Sequence, residues 1–67
     1  MNEEYKPGDW GYAVFTRKRL GMSGRIHTFG QIKAVERSVI LFEDDHIEYI
    51  ISKKEFIFEK KEAPSNL

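Results

Sequence analysis

Arg25-Ile26-His27-Thr28-Phe29-Gly30-Gln31-Ile32-Lys33-Ala34-Val35-Glu36 sets Ile26, Thr28, Gly30, Ile32 and Ala34 against Arg25, His27, Phe29, Gln31 and Lys33. Successive side chains of an extended chain point to opposite faces, so a period of two over this length predicts a long strand. Gly30 in its middle predicts a bend or bulge at that point, where a missing Cβ lets the chain turn.

The flanking segments repeat the pattern. Trp10-Gly11-Tyr12-Ala13-Val14-Phe15-Thr16 is aromatic and β-branched, follows Pro7-Gly8-Asp9, and reads as a first strand. Arg17 to Gly24 holds Gly21, Ser23 and Gly24 without a period and reads as a long mobile loop. Beyond the long strand, Arg37-Ser38 turns into Val39-Ile40-Leu41-Phe42-Glu43, and Asp44-Asp45 turns into His46-Ile47-Glu48-Tyr49-Ile50-Ile51. Ser52-Lys53-Lys54-Glu55 suits a single 3₁₀ turn before a short last strand, Phe56-Ile57-Phe58. Nowhere do apolar residues recur at helical spacing for the ten or so residues a helix needs. The expectation is an all-β domain of five strands.

With 67 residues the chain has room for one small domain, and with no Cys it has no disulfide framework, cysteine-based zinc site or thiol nucleophile. The longest apolar run is Val39 to Phe42, far short of the roughly 20 residues of a membrane helix, and Met-Asn-Glu-Glu does not resemble a signal peptide. A soluble, cytoplasmic protein with no membrane partner is expected. Residues 1–6 and 60–67 read as flexible tails around a core of residues 7–59. Five short strands bury a common interior most economically by curling one sheet into a small barrel. Its expected inward set is Ala13, Phe15, Ile32, Ala34, Ile40, Phe42, Ile47, Tyr49 and Ile51, with either Phe56 and Phe58 or Ile57.

Pro7-Gly8-Asp9 before an aromatic strand, Gly30 to Val35 in the long second strand, Val39 to Asp44 in the third and Glu55-Phe56 after a polar turn together resemble an SH3-like barrel of the Tudor and KOW type, over about residues 7–59. The resemblance implies an interaction module. Tudor domains follow the third-strand Asp with Tyr-Gly-Asn to complete a cage that holds methylated Lys or Arg by cation–π attraction. Here Asp44 is followed by Asp45-His46-Ile47, so the cage tyrosine and asparagine are missing. KOW-type relatives bind RNA or the transcription machinery.

Trp10, Tyr12 and Phe29 are the first candidate binding residues, because alternation sends them to the face opposite Ala13 and Phe15. Rings offer large contact area at little entropic cost and also stack on unpaired bases. The alternative is that Trp10 caps a barrel end and Phe29 covers the bend at Gly30. Arg17, Lys18 and Arg19, with Arg25, Lys33 and Arg37, form the basic cluster, either as phosphate contacts or as a solvated loop. Asp44, Asp45, His46 and Glu48 read as a polar hairpin turn, one His being too few for a zinc site. His27, on the solvent side of the second strand, has no triad partner and reads as solvated or partner-facing, and there is no P-loop or dinucleotide fingerprint, so neither catalysis nor a cofactor is expected.

Net charge is zero, yet residues 1–37 carry seven bases and four acids (+3) while residues 38–67 carry four bases and seven acids (−3). Segregated, balanced charge suits a protein partner better than a polyanion. The expected function is therefore a non-catalytic module that binds a protein through Trp10, Tyr12 and Phe29, flanked by Arg17, Lys18, Arg19, Arg25 and Lys33. RNA or single-stranded DNA is the alternative ligand, and a homo-oligomeric structural subunit the third reading.

Overall fold

The computed structural model describes residues 5–65, excluding the side chains of Lys18 and Arg19. Five strands, β1 (Trp10–Arg19), β2 (Met22–Val35), β3 (Val39–Asp44), β4 (Glu48–Ser52) and β5 (Ile57–Lys61), pair antiparallel in the order β4-β3-β2-β1-β5. A single 3₁₀ turn, Lys53–Glu55, joins β4 to β5, capped by the Ser52 side chain, which accepts from the Lys54 N–H.

β2 is the spine of the sheet, pairing with β1 along one edge and with β3 along the other. The chain enters β1 through Lys6-Pro7-Gly8-Asp9, where Pro7 occupies the second turn position and Gly8, at φ 98°, the third. The Asp9 N–H closes the turn on the Lys6 carbonyl at 3.1 Å. This is the chemistry of a type II turn. The turn is anchored to β2, with the Gly8 N–H donating to the Ile32 carbonyl at 2.7 Å and the Ile32 N–H to the Asp9 carbonyl at 2.9 Å.

The sheet is open, because β4 and β5 share no ladder among the described residues, so the closed barrel expected from sequence is not formed by backbone pairing. It is nonetheless strongly curled. Phe15 on β1 and Tyr49 on β4 are three strand spacings apart, about 14 Å in a flat sheet, but their ring centroids lie 5.0 Å apart. From the other edge, Phe58 on β5 reaches Phe42 on β3 at 6.4 Å. Backbones of the neighbouring strands come closest to the concave face at the cross-strand pair Gly11 and Gly30. A Cβ on Gly11 would overlap the Glu59 carbonyl oxygen of β5, and one on Gly30 the Glu43 carbonyl oxygen of β3. Both neighbours fold inward at these two glycines because no side chain is in the way.

The concave face encloses Ala13, Phe15, Ile32, Ile40, Phe42, Ile51 and Phe56, with Tyr5, Ile26, Val35, Tyr49 and Phe58 packed against them. Of the alternatives for β5, Phe56 and Phe58 face in, and Ile57 is 59% exposed. Tyr5, placed with the N-terminal tail from sequence, packs edge-on against Phe56 at 5.3 Å. β5 continues through Lys60 and Lys61, which sequence placed in the C-terminal tail.

Three further expectations are corrected. The irregularity of β2 falls between Ile32 and Ala34 rather than at Gly30, with Ile32 opposite Phe42 and Ala34 already opposite Leu41. The extra residue, Lys33, reverses the alternation, so Val35 and not Ala34 joins the core packing. Ile47 is 41% exposed, because the turn after Asp44 extends through it and β4 starts only at Glu48. Finally, Arg17 to Gly24 is not a mobile loop. β1 and β2 pair out to Arg19 and Met22 across a two-residue turn, Leu20-Gly21, with φ values of 53° and 78°. Two successive positive φ values match the twist of a hairpin, but the left-handed conformation costs a non-glycine residue such as Leu20 about 1–2 kcal/mol.

Candidate interaction face

On β1 the curl that buries Ala13 and Phe15 sends Trp10, Tyr12, Val14 and Thr16 to the convex face. The register places Tyr12 opposite Phe29, Val14 opposite His27 and Trp10 opposite Gln31. The rings form one continuous row. Trp10 stacks on Phe29 at 5.9 Å and an interplanar angle of 25°, Tyr12 meets Phe29 edge-on at 5.2 Å, and Tyr12 packs against His27 at 5.2 Å. Directly opposed side chains on one face of an antiparallel pair sit close enough for such contacts. On the other flank of β1, Ile57 lies opposite Val14 and extends the apolar strip onto β5.

Trp10 and Phe29 are half-buried against one another and Tyr12 is 39% exposed. The row therefore presents ring faces and edges to solvent while its members hold each other's rotamers. Beyond Trp10, a shallow cleft of about 620 Å³ is lined by Gly8, Asp9, Lys60, Lys61, Glu62 and Ala63 together with Trp10 itself. Its wall is braced by the buried Asp9, whose carboxylate accepts from the Lys6 N–H at 3.0 Å and pairs with Lys60 at 3.6 Å.

The basic residues expected around this face do not converge on it. Arg25, opposite Thr16, lies on the convex side at the far end of the ring row. Lys33 lies at the opposite end, about 26 Å away along the strand, and is held by Glu43 at 3.4 Å and the Gln31 side-chain carbonyl at 3.3 Å. Arg17 belongs to the concave side, with its guanidinium 5.6 Å from the centre of the Tyr49 ring. Lys18 and Arg19 lie on β1 opposite Ser23 and Met22; their side chains fall outside the described ones.

Asp44 turns out to organise the β3–β4 end. Its Oδ1 accepts from the backbone N–H groups of His46 at 2.8 Å and Ile47 at 3.0 Å. Its Oδ2 accepts from the hydroxyls of Thr28 on β2 at 2.8 Å and Tyr49 on β4 at 3.3 Å. Burial on its own raises the carboxyl pKa, but these four donors outweigh it and bring the pKa down to about 2. The Tyr49 phenol shifts the other way, pushed up by burial first and then by the adjacent Asp44 charge and hydrogen bond. Asp44 is thus an anion at neutral pH used as a structural knot, in keeping with the polar hairpin turn expected of residues 44–48.

Among the described residues, no cluster of three or more His, Cys, Asp or Glu is arranged to hold a metal ion, and no helix is long and apolar enough to cross a membrane. No protein-family model, curated protein or solved structure matches the chain. Sequence placed His27 on the solvent side of the second strand but did not join it to the rings, and left Ile57 open between core and surface until the β5 register placed it beside Val14.

Proposed function

We propose that the chain is a non-catalytic interaction module that binds a protein partner through the convex face of β1 and β2, with Trp10, Tyr12 and Phe29 as its anchors. The observation that carries this reading is the mutually braced row Trp10–Phe29–Tyr12–His27, continued by Ile57, on the solvent side of the sheet. Preorganised aromatic side chains lose little conformational entropy on binding and are the residue types that dominate interface energetics. A protein ligand is favoured over single-stranded nucleic acid because the cations lie at the two ends of the row, with Lys33 already paired to Glu43, rather than tracking it. Arg25 at one end, Lys33 and Lys61 at the other and Glu59 alongside Tyr12 supply a rim of mixed sign.

The SH3-like barrel of the Tudor and KOW type belongs to the same proposal. It is supported by the five-strand meander, the long second strand with its bulge, the 3₁₀ turn before the last strand and the ring contacts that carry each edge strand to a strand three places away. A non-catalytic role is supported by Asp44, among the described residues the one carboxyl with a lowered pKa, being saturated with donors and so unavailable as a base. A cytoplasmic location and independence from any cofactor are part of the reading.

Affinity capture from host lysate, with and without nuclease, tests it. Tyr12→Ala and Trp10→Ala are expected to abolish capture of a nuclease-insensitive partner while circular dichroism shows the sheet retained. Unchanged capture by folded Tyr12→Ala removes this face from consideration, and capture lost on nuclease treatment transfers the site to nucleic acid.

A further inference from the structure

Beyond Val14 and Gly30 no third strand pairs with the first two, although Phe15 is still buried, Ile26 still packs on the core and Arg17 still lies over the Tyr49 ring. β5 pairs with β1 only from Trp10 to Val14, and β3 pairs with β2 only from Gly30 to Val35. Past Arg17, Lys18–Arg19 and Met22–Ser23 continue as a two-stranded ribbon whose tip stands about 10 Å from Arg17, three residues at strand rise. Its tip is apolar and bare, with Leu20 95% and Met22 75% exposed. Leu20 also occupies a positive-φ turn position that Asn, Asp or Gly fills without strain, so the backbone gives no reason for a leucine there. From Trp10 through Val35 the chain carries Arg17, Lys18, Arg19, Arg25 and Lys33 and no Asp or Glu, a charge of +5 in a molecule whose total is zero. Four of these five lie within residues 17–25, around the tip.

We infer that the β1–β2 hairpin is a DNA-binding arm, whose tip enters the major groove of a B-form duplex with Leu20 against thymine methyl groups and Arg17 and Arg25 at the phosphate rims. The B-form major groove, about 12 Å wide and 8.5 Å deep, admits a two-stranded ribbon, and its floor offers the thymine methyl as an apolar contact. A-form RNA closes that groove to side chains. A lipid surface fits less well, because the rings suited to a membrane interface lie eight to ten residues from Leu20 along β1, about 26–33 Å away. This inference uses residues outside the convex aromatic row and stands independently of the protein partner proposed for it.

Fluorescence anisotropy with a labelled A·T-rich 20-base-pair duplex at 50 and 200 mM salt tests it, on the full chain. Binding is expected at the lower salt and should weaken on the order of tenfold at the higher, for the two phosphate contacts of Arg17 and Arg25. Arg25→Gln should reduce the salt slope by about 1. Leu20→Asn suits the turn better and should melt no lower than the parent, yet bind about tenfold more weakly. Replacing thymine by uracil should weaken the parent by a similar factor and leave the Leu20→Asn protein unchanged. The inference is overturned by an absence of duplex binding at 50 mM salt, by parental affinity in Leu20→Asn, or by tighter binding to a single strand or to phosphatidylserine vesicles than to the duplex.

Discussion

Asp44 shows how one side chain joins three strands. Its two oxygens take a donor from β2, a donor from β4 and two backbone N–H groups of the intervening turn, so the carboxylate is worth most when charged. With the folded pKa lowered to about 2 and the unfolded value near 3.8, its contribution is complete above about pH 5 and disappears as pH falls through 2. Asp44→Asn, which keeps the shape but not the charge, is therefore expected to cost about 1–2 kcal/mol at pH 7 in urea unfolding. The gap to the parent should narrow between pH 4 and pH 2; a gap independent of pH would show that the charge is not what the turn uses. The hairpin turn itself could be read from Asp44-Asp45, because an aspartate accepting from backbone two and three residues on is a local event. Thr28 and Tyr49 could not be read as its partners, since they reach Asp44 only after β2, β3 and β4 have paired.

At the scale of the element, the glycines and the turn divide the labour along the β1–β2 hairpin. Gly11 and Gly30 let β5 and β3 fold over the concave face, and Leu20-Gly21 reverses the chain at the far end. Gly30→Ala places a methyl group against the Glu43 carbonyl and Asp44 Cα and is expected to destabilise by about 3 kcal/mol. That approaches the whole stability of a domain this small, so thermal melting should find it largely unfolded at 37 °C. Sequence marked Gly30 as a bend or bulge; what the structure has there is a close approach of the β3 backbone. The change of register, however, falls at Lys33, because a bulge is fixed by how two strands meet and Lys33 looks like any other strand residue. The segment from Arg17 to Gly24 misled for a related reason. Its glycines and serine are loop formers in isolation, yet as the end of a ladder already begun at Trp10 and Gln31 they only have to continue it.

For the molecule as a whole, stability rests on rings that meet across the concave face. Phe42 is fully buried and touches both Phe56 and Phe58, tying β3 to the chain that follows the 3₁₀ turn. Phe42→Ala removes about 3–5 kcal/mol of packing, comparable to all that such a core supplies, and the chain is expected to lose its cooperative transition in calorimetry. The same deletion on the convex face, Tyr12→Ala, should shift the midpoint far less, because Tyr12 is already partly in water. Period-two patterning and turn chemistry were enough to set an all-β chain of five strands, a 3₁₀ turn before the last, and most of the buried set, since each is a property of neighbouring residues. Curling without ladder closure, the phase change at Lys33, the partners of Asp44 and the projection of a cationic hairpin beyond the sheet were settled only when distant strands met. Those features depend on contacts between residues far apart in the chain, and alternation within one strand carries no information about which strand lies beside it.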